Sequence, residues 1–230
     1  MASSTVARSR SPQSKLDSDD ALALRAAELS AWARRNARMI IGIAAVALVV
    51  VGGLLVYKYS QAQKRAAAGE RLLAMSANPV LLTSAGTSEL EKFIRQYDGT
   101  PEADEARMML AQSLLDARQP RPAMTHLQKV AGGRSKLSVQ ALMMMGSAHA
   151  QAGDRAAAIR SYQQAADRAG MKYQKFEALG QAALQHEAGG NWKAAAEIYQ
   201  GLLAQTEKGS QQATVIEMRM TEALARSGGR

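Results

Sequence analysis

The chain contains no cysteine and few aromatic residues, and each absence removes a class of function. Without cysteine there are no disulfide bonds, no thiolate metal sites and no lipid attached through a thiol. Only ten of the 230 residues are aromatic, which leaves little to stack on nucleic-acid bases. The excess of 29 basic over 20 acidic residues is scattered and indicates a solvated surface or attraction to anionic lipid heads. We therefore predict no nucleic-acid partner.

Signatures of catalysis are also missing from the sequence. It has neither a phosphate-cradling glycine loop nor a nucleophile elbow. The only histidines are His126, His149 and His186, and the last two lie 37 residues apart at equivalent places of a repeat. Equivalent places in successive units do not converge on one ion. The sequence thus predicts no catalytic residue, no cofactor, no metal ligand and no small-molecule substrate.

One long apolar run, Met39 to Tyr57, carries no charged side chain. A helix of its 19 residues is about 29 Å long, against a bilayer core of about 30 Å. Its eleven Leu, Ile and Val residues favour insertion by about 3 to 7 kcal/mol. A soluble helix would show a polar stripe, and a cleaved signal sequence has a shorter apolar stretch nearer the start. We predict a single transmembrane helix over residues 39–57.

Basic residues at the two ends of this run indicate its topology. Arg34, Arg35 and Arg38 precede the run, whereas only Lys58 follows it directly. This bias favours a cytoplasmic N-terminus, although a count over about 15 residues on each side gives equal charges. Long domains cross the membrane largely regardless of charge, which favours an exported C-terminal part.

The rest of the chain divides around the anchor. Residues 1–17 are rich in Ser and Arg and are predicted to be a disordered basic tail. Residues 18–38 are predicted to form a juxtamembrane helix that either lies on the membrane face or extends the anchor. Residues 58–87 are interpreted as a helical linker, and residues 88–230 as a repeat domain.

The repeat shows in regularly spaced glycines. Gly153, Gly190 and Gly228 lie 37 and 38 residues apart, and each ends a segment of helical composition. In the clearest unit, Gly146 allows two helices to approach closely while Tyr162 fills the seam between them. The order large, large, small, large, turn, small, aromatic, small is found at Leu142, Met145, Gly146, His149, Gly153, Ala158, Tyr162 and Ala165.

This order resembles the tetratricopeptide repeat. The preceding unit departs from it, since Arg107 stands where a large apolar residue is usual and the turn Gln119–Pro122 replaces the glycine. The resemblance implies an all-α fold, which follows the N-terminal single transmembrane helix predicted from the apolar run. A tetratricopeptide-repeat-like α-solenoid of about three helix pairs plus partial end units follows, closed by a capping helix from about Gln211 to Arg226.

The segment Phe93 to Ala106 resembles the junction common in bacterial envelope repeat proteins. Over roughly Ala33 to Arg226, the chain resembles the single-span tetratricopeptide family of ancillary SecYEG translocon subunits. That resemblance implies a bacterial inner-membrane protein with a cytoplasmic N-terminus and a periplasmic repeat domain. Its implied partners are the translocon and exported client proteins. The alternative is a fixed accessory structural subunit of a large inner-membrane complex, respiratory or photosynthetic.

Stacked helix pairs usually curve, and the first helix of each pair lines the concave side. Here that lining is mildly acidic and carries methionine, which adapts to varied partners. The alternative is that these are ordinary exposed residues without a ligand. By repeat position, the predicted partner-binding residues are Glu105, Met108, Gln112, Asp116, Gln140, Met143, Ser147, Gln151, Glu177, Leu184 and Glu187.

Overall fold

The computed structural model describes Arg25 and residues 27–77, 84–133 and 135–228. The expected disordered tail, residues 1–17, lies outside these ranges. So do residues 18–24 of the expected juxtamembrane helix and residues 78–83 of the expected linker. Every regular element within the described ranges is an α-helix. The predicted fold class, all-α, is confirmed.

The chain divides into two compact units, residues 1–61 and 62–230, and the helix α1 (Ala37–Ser76) runs through the division. In the first unit, residues 27–35 are helical and a turn precedes α1. The apolar side chains of α1 are exposed, with Leu48 and Val49 each 75% accessible. By length and composition, α1 is sufficient to cross a membrane.

The second unit begins inside α1. Ala68 and Leu72 of α1 are buried in one cluster with Leu90 and Phe93 of α2 (Ser84–Gln96). This end of α1 therefore belongs to the packed core of the second unit, within the stretch 58–87 that the sequence predicts to be a helical linker. The sequence does not reveal this packed face, because a segment rich in alanine gives little contrast between apolar and polar faces and its periodicity is weak.

Three helix pairs and a single helix follow in the described part of the chain. The pairs are α3 (Pro101–Asp116) with α4 (Pro120–Gly132), α5 (Ser138–Gln151) with α6 (Arg155–Arg168), and α7 (Lys172–Ala188) with α8 (Trp192–Leu203). Each second helix also contacts the first helix of the next pair, so no pair buries its apolar face alone. The last helix, α9 (Gln211–Gly228), packs on α8 as the expected capping helix.

The turn inside each pair requires one residue with a left-handed backbone. Gly153 (φ 84°) and Gly190 (φ 74°) meet this requirement in the second and third pairs, as predicted from their spacing. In the first pair the residue is Arg118 (φ 60°), directly before the turn Gln119–Pro122. A left-handed conformation costs a residue with a Cβ about 1 to 2 kcal/mol. The first pair thus carries a strained arginine where the other two pairs have glycine.

Arg107, which departs from the repeat pattern, is buried with only 3% of its surface exposed. Its Nη1 donates to Asp104 Oδ1 at 2.9 Å, and its Nη2 pairs with the carboxylate of Asp98. The hydrogen bond from Arg107 is the main cause that lowers the pKa of Asp98. A buried arginine, paired with two carboxylates that are in contact with solvent, therefore occupies the place of the usual apolar side chain.

Candidate functional site

The first helices of successive pairs lie side by side. α3 contacts α5, and α5 contacts α7. Gln151 Nε2 on α5 donates to the carbonyl oxygen of Leu115 on α3 at 3.1 Å. Arg219 Nη1 on α9 donates to Glu187 Oε2 on α7 at 3.1 Å, which continues the row to the last helix. The row arises because each intervening second helix packs between two first helices.

Most of the predicted partner-binding residues are open to solvent on this row. Three others, Met143, Leu184 and Glu187, are half-buried, and Glu187 is engaged by Arg219. We call the exposed members the first-helix surface: Glu105, Gln112, Asp116, Gln140, Ser147, Gln151 and Glu177. Its residues lie on three successive helices that contact one another, which makes this surface a candidate for binding a polypeptide segment.

Met108 does not belong to this surface. Its side chain is 7% exposed and packs in the core, and Met143 packs against the same cluster. Met108 lies about 60° around α3 from Glu105, on the side where Arg107 and Ala111 are also buried. A charged residue at Met108 would therefore test folding and not partner binding. The exposed surface consists of polar side chains and lacks the adaptable methionine that the sequence predicts there.

The first-helix surface is acidic and rich in amides. Its carboxylates are Glu105, Asp116 and Glu177, and none of its seven residues is basic. Gln112 Nε2 donates to Asp116 Oδ1 at 2.8 Å, one helical turn along α3. Such a surface offers hydrogen bonds to a polypeptide backbone and attraction to basic side chains.

A groove of about 550 Å³ adjoins this surface at Glu177. One wall is α7, where Tyr173 is 63% exposed and Phe176 is half-buried. The sequence analysis does not include these two residues. They could have been found as two aromatic residues within one helical turn, in a chain that has only ten aromatic residues. The full lining is Lys172, Tyr173, Phe176, Glu177, Gln205, Thr206, Glu207, Ser210 and Gln212.

The three histidines are half-buried. Burial is the main cause that lowers the pKa of both His126 and His186. Across the described ranges, no three His, Asp or Glu side chains come together in an arrangement that could hold a metal ion. The first-helix surface can form hydrogen bonds and electrostatic interactions with a partner.

Comparison with known proteins agrees with this architecture. Residues 30–149 match the family model described as a tetratricopeptide repeat-like domain, and residues 140–169 match a tetratricopeptide repeat model. A solved structure, the crystal structure of MamA protein, is 19% identical to this chain, with a TM-score of 0.40. The similarity covers 61% of this chain and 80% of that one. No curated protein matches the sequence. The first family match spans more than half of the chain.

Proposed function

Because the chain belongs to the tetratricopeptide repeat-like domain family, whose repeats form scaffolds for protein contacts, we propose that it is a membrane-anchored interaction scaffold. The observation that carries this proposal is the first-helix surface, where seven polar side chains on three contacting helices are exposed. The exposed apolar run of α1 supports the membrane part. The proposed partners are proteins.

The finer proposal places the protein in the bacterial inner membrane, associated with the translocon or with exported proteins. It is supported by the resemblance over Ala33 to Arg226 and by the order of anchor and repeats along the chain. The arginines at 34, 35 and 38 support a cytoplasmic N-terminus, and the repeat domain would then be periplasmic.

The anchor is tested with charged substitutions in the apolar run. Val46→Arg with Val50→Arg should abolish stable insertion, because each arginine at a helix centre costs about 2.5 to 3.5 kcal/mol. The measurement is the fraction of protein that stays in the membrane pellet after an alkaline wash. Leu73→Arg is the control, since Leu73 is an equally apolar residue of α1, 72% exposed but outside the run. An unchanged pellet fraction in the double variant would refute the anchor.

The first-helix surface is tested by adding charge without touching the core. We expect the triple variant Gln112→Arg, Gln140→Arg and Ser147→Arg to reduce recovery of bound partners by at least about tenfold, equivalent to about 1.4 kcal/mol. Recovery is measured by purification in mild detergent with quantitative mass spectrometry. The matched control adds the same charge to exposed residues of α4 and α6, through Gln128→Arg, Gln163→Arg and Gln164→Arg.

The identities and ratios of the recovered proteins separate the candidate roles. Translocon subunits, or varied exported proteins in low ratio, support the translocon-associated role. One large complex in constant ratio supports a fixed accessory subunit instead. Equal loss from the first-helix triple variant and from its control would mean that added charge acts nonspecifically, and the first-helix surface would then be rejected.

A further inference from the structure

A second feature, away from the first-helix surface, is a cavity of about 320 Å³ at the turn between α3 and α4. Two of its lining side chains are positively charged and none is negatively charged. Both arginines are exposed, and neither forms an ion pair with any residue that the structure describes. The lining consists of Arg118, Gln119, Pro120, Arg121, Pro122 and Ala152.

Some cations elsewhere in the repeat domain pair with a carboxylate of their own helix. Lys92 pairs with Glu89 on α2, and Arg226 pairs with Glu222 on α9. Helix α4 has no acidic residue in its first turn. The nearest carboxylate in sequence, Asp116, accepts a hydrogen bond from Gln112. The positive charge at this turn is therefore left open to a partner.

The backbone of Arg118 gives an independent reason to look for a role of its side chain. Arg118 has a left-handed backbone, at the place where Gly153 and Gly190 serve the other pairs. Glycine would remove this strain, so the fold itself gains nothing from arginine there. The prolines on either side of Arg121 fix the backbone φ angle and hold the cavity wall in one conformation.

We propose that this cavity binds a carboxylate side chain from an acidic segment of a partner protein. A guanidinium group can donate two parallel hydrogen bonds to a carboxylate. Two arginines at one cavity therefore provide both the positive charge and the donors that a carboxylate needs. The lining has two positive side chains and no negative one, which favours an acidic occupant. The proposal is separate from the first-helix surface, because none of the cavity residues lies on it.

The test uses the full chain in nanodiscs of neutral phosphatidylcholine and a fluorescein-labelled oligoglutamate peptide, read by fluorescence anisotropy. Arg118→Gly and Arg121→Gln should each weaken binding roughly fivefold, since an exposed ion pair contributes up to about 1 kcal/mol. Arg118→Gly should also raise the melting temperature of the repeat domain by about 2 °C, because it removes backbone strain. Weaker binding by a more stable protein cannot be attributed to misfolding.

The control is Arg160→Gln, which removes an exposed arginine of α6 that is outside the cavity lining and forms no ion pair within the described ranges. Binding should stay within twofold of the unsubstituted chain, and an oligoserine peptide should not bind. Undiminished oligoglutamate binding by Arg118→Gly, or an equal loss in Arg160→Gln, would overturn the proposal. The proposal would also be overturned if Arg118→Gly weakened binding to phosphatidylglycerol vesicles but not to oligoglutamate, since the occupant would then be lipid. Partner capture by the first-helix triple variant is a separate readout, so either proposal can fail alone.

Discussion

Replacing Asp98 and Asp104 together by alanine is expected to destabilise the repeat domain by about 3 kcal/mol or more. The reason is that Arg107, 3% exposed, would keep its charge in the core without either acceptor. Its Nε already has no hydrogen-bond partner among the described residues, so no alternative acceptor is at hand. The measurement is urea unfolding of the detergent-solubilised full chain, followed by circular dichroism.

Arg107→Met is the matched variant, and its effect should be within about 1 kcal/mol of zero. It removes the buried charge and leaves Asp98, whose side chain is 62% exposed, and Asp104, which is 24% exposed, in contact with water. Methionine also restores the apolar character usual at this repeat position. If Arg107→Met were as destabilising as the double alanine variant, the ion pair would be a net source of stability and our account of the site would be wrong.

Acid provides a second readout of the same pair. The pKa of Asp98 is lowered in the folded state, mainly by the hydrogen bond from Arg107. A carboxyl with a lowered folded-state pKa contributes stability above its unfolded pKa of about 3.9, and this contribution is lost as the pH falls through the folded value. The decline in stability below about pH 4 should therefore be shallower in Arg107→Met than in the unsubstituted chain.

The sequence predicts the repeat architecture well, because the residues that define it have strict geometric roles. Gly153 and Gly190 provide the left-handed turns, so their spacing alone locates two helix pairs. Arg118 escapes this reasoning, since a non-glycine residue with a positive φ has no sequence signature. The tetratricopeptide repeat pattern therefore locates the first turn only approximately.

The candidate site is predicted less completely, for a different reason. Repeat position identifies which helix lines a surface, but one residue of register decides whether a side chain is open or buried. Gln112 and Ser147 are exposed as expected, whereas Met108 is in the core. Residues 62–76 show the same limit, because an alanine-rich helix such as the end of α1 has too little apolar contrast to reveal its packed face.

Gly146→Ala is expected to destabilise the repeat domain by about 1 to 3 kcal/mol through overpacking, even though alanine is the better helix former. A Cβ at Gly146 would lie 2.5 Å from Cε1 and 2.6 Å from Cζ of Tyr162. The Tyr162 ring is 4% exposed between α5 and α6, so it has no free space into which to move. Thermal and urea unfolding of the full chain measure the effect.

Gly180→Ala is the matched control, because a Cβ there meets no atom within 4 Å. It should stabilise the domain by about 0.5 to 1 kcal/mol, the helix preference of alanine over glycine. A double-mutant cycle with Tyr162→Leu then isolates the contact, since leucine removes the ring atoms that a new Cβ would meet. Gly146→Ala should become neutral or stabilising in the Tyr162→Leu background. A cost that persisted without the ring would show that Gly146 is needed for its backbone conformation and not for the close approach of α6.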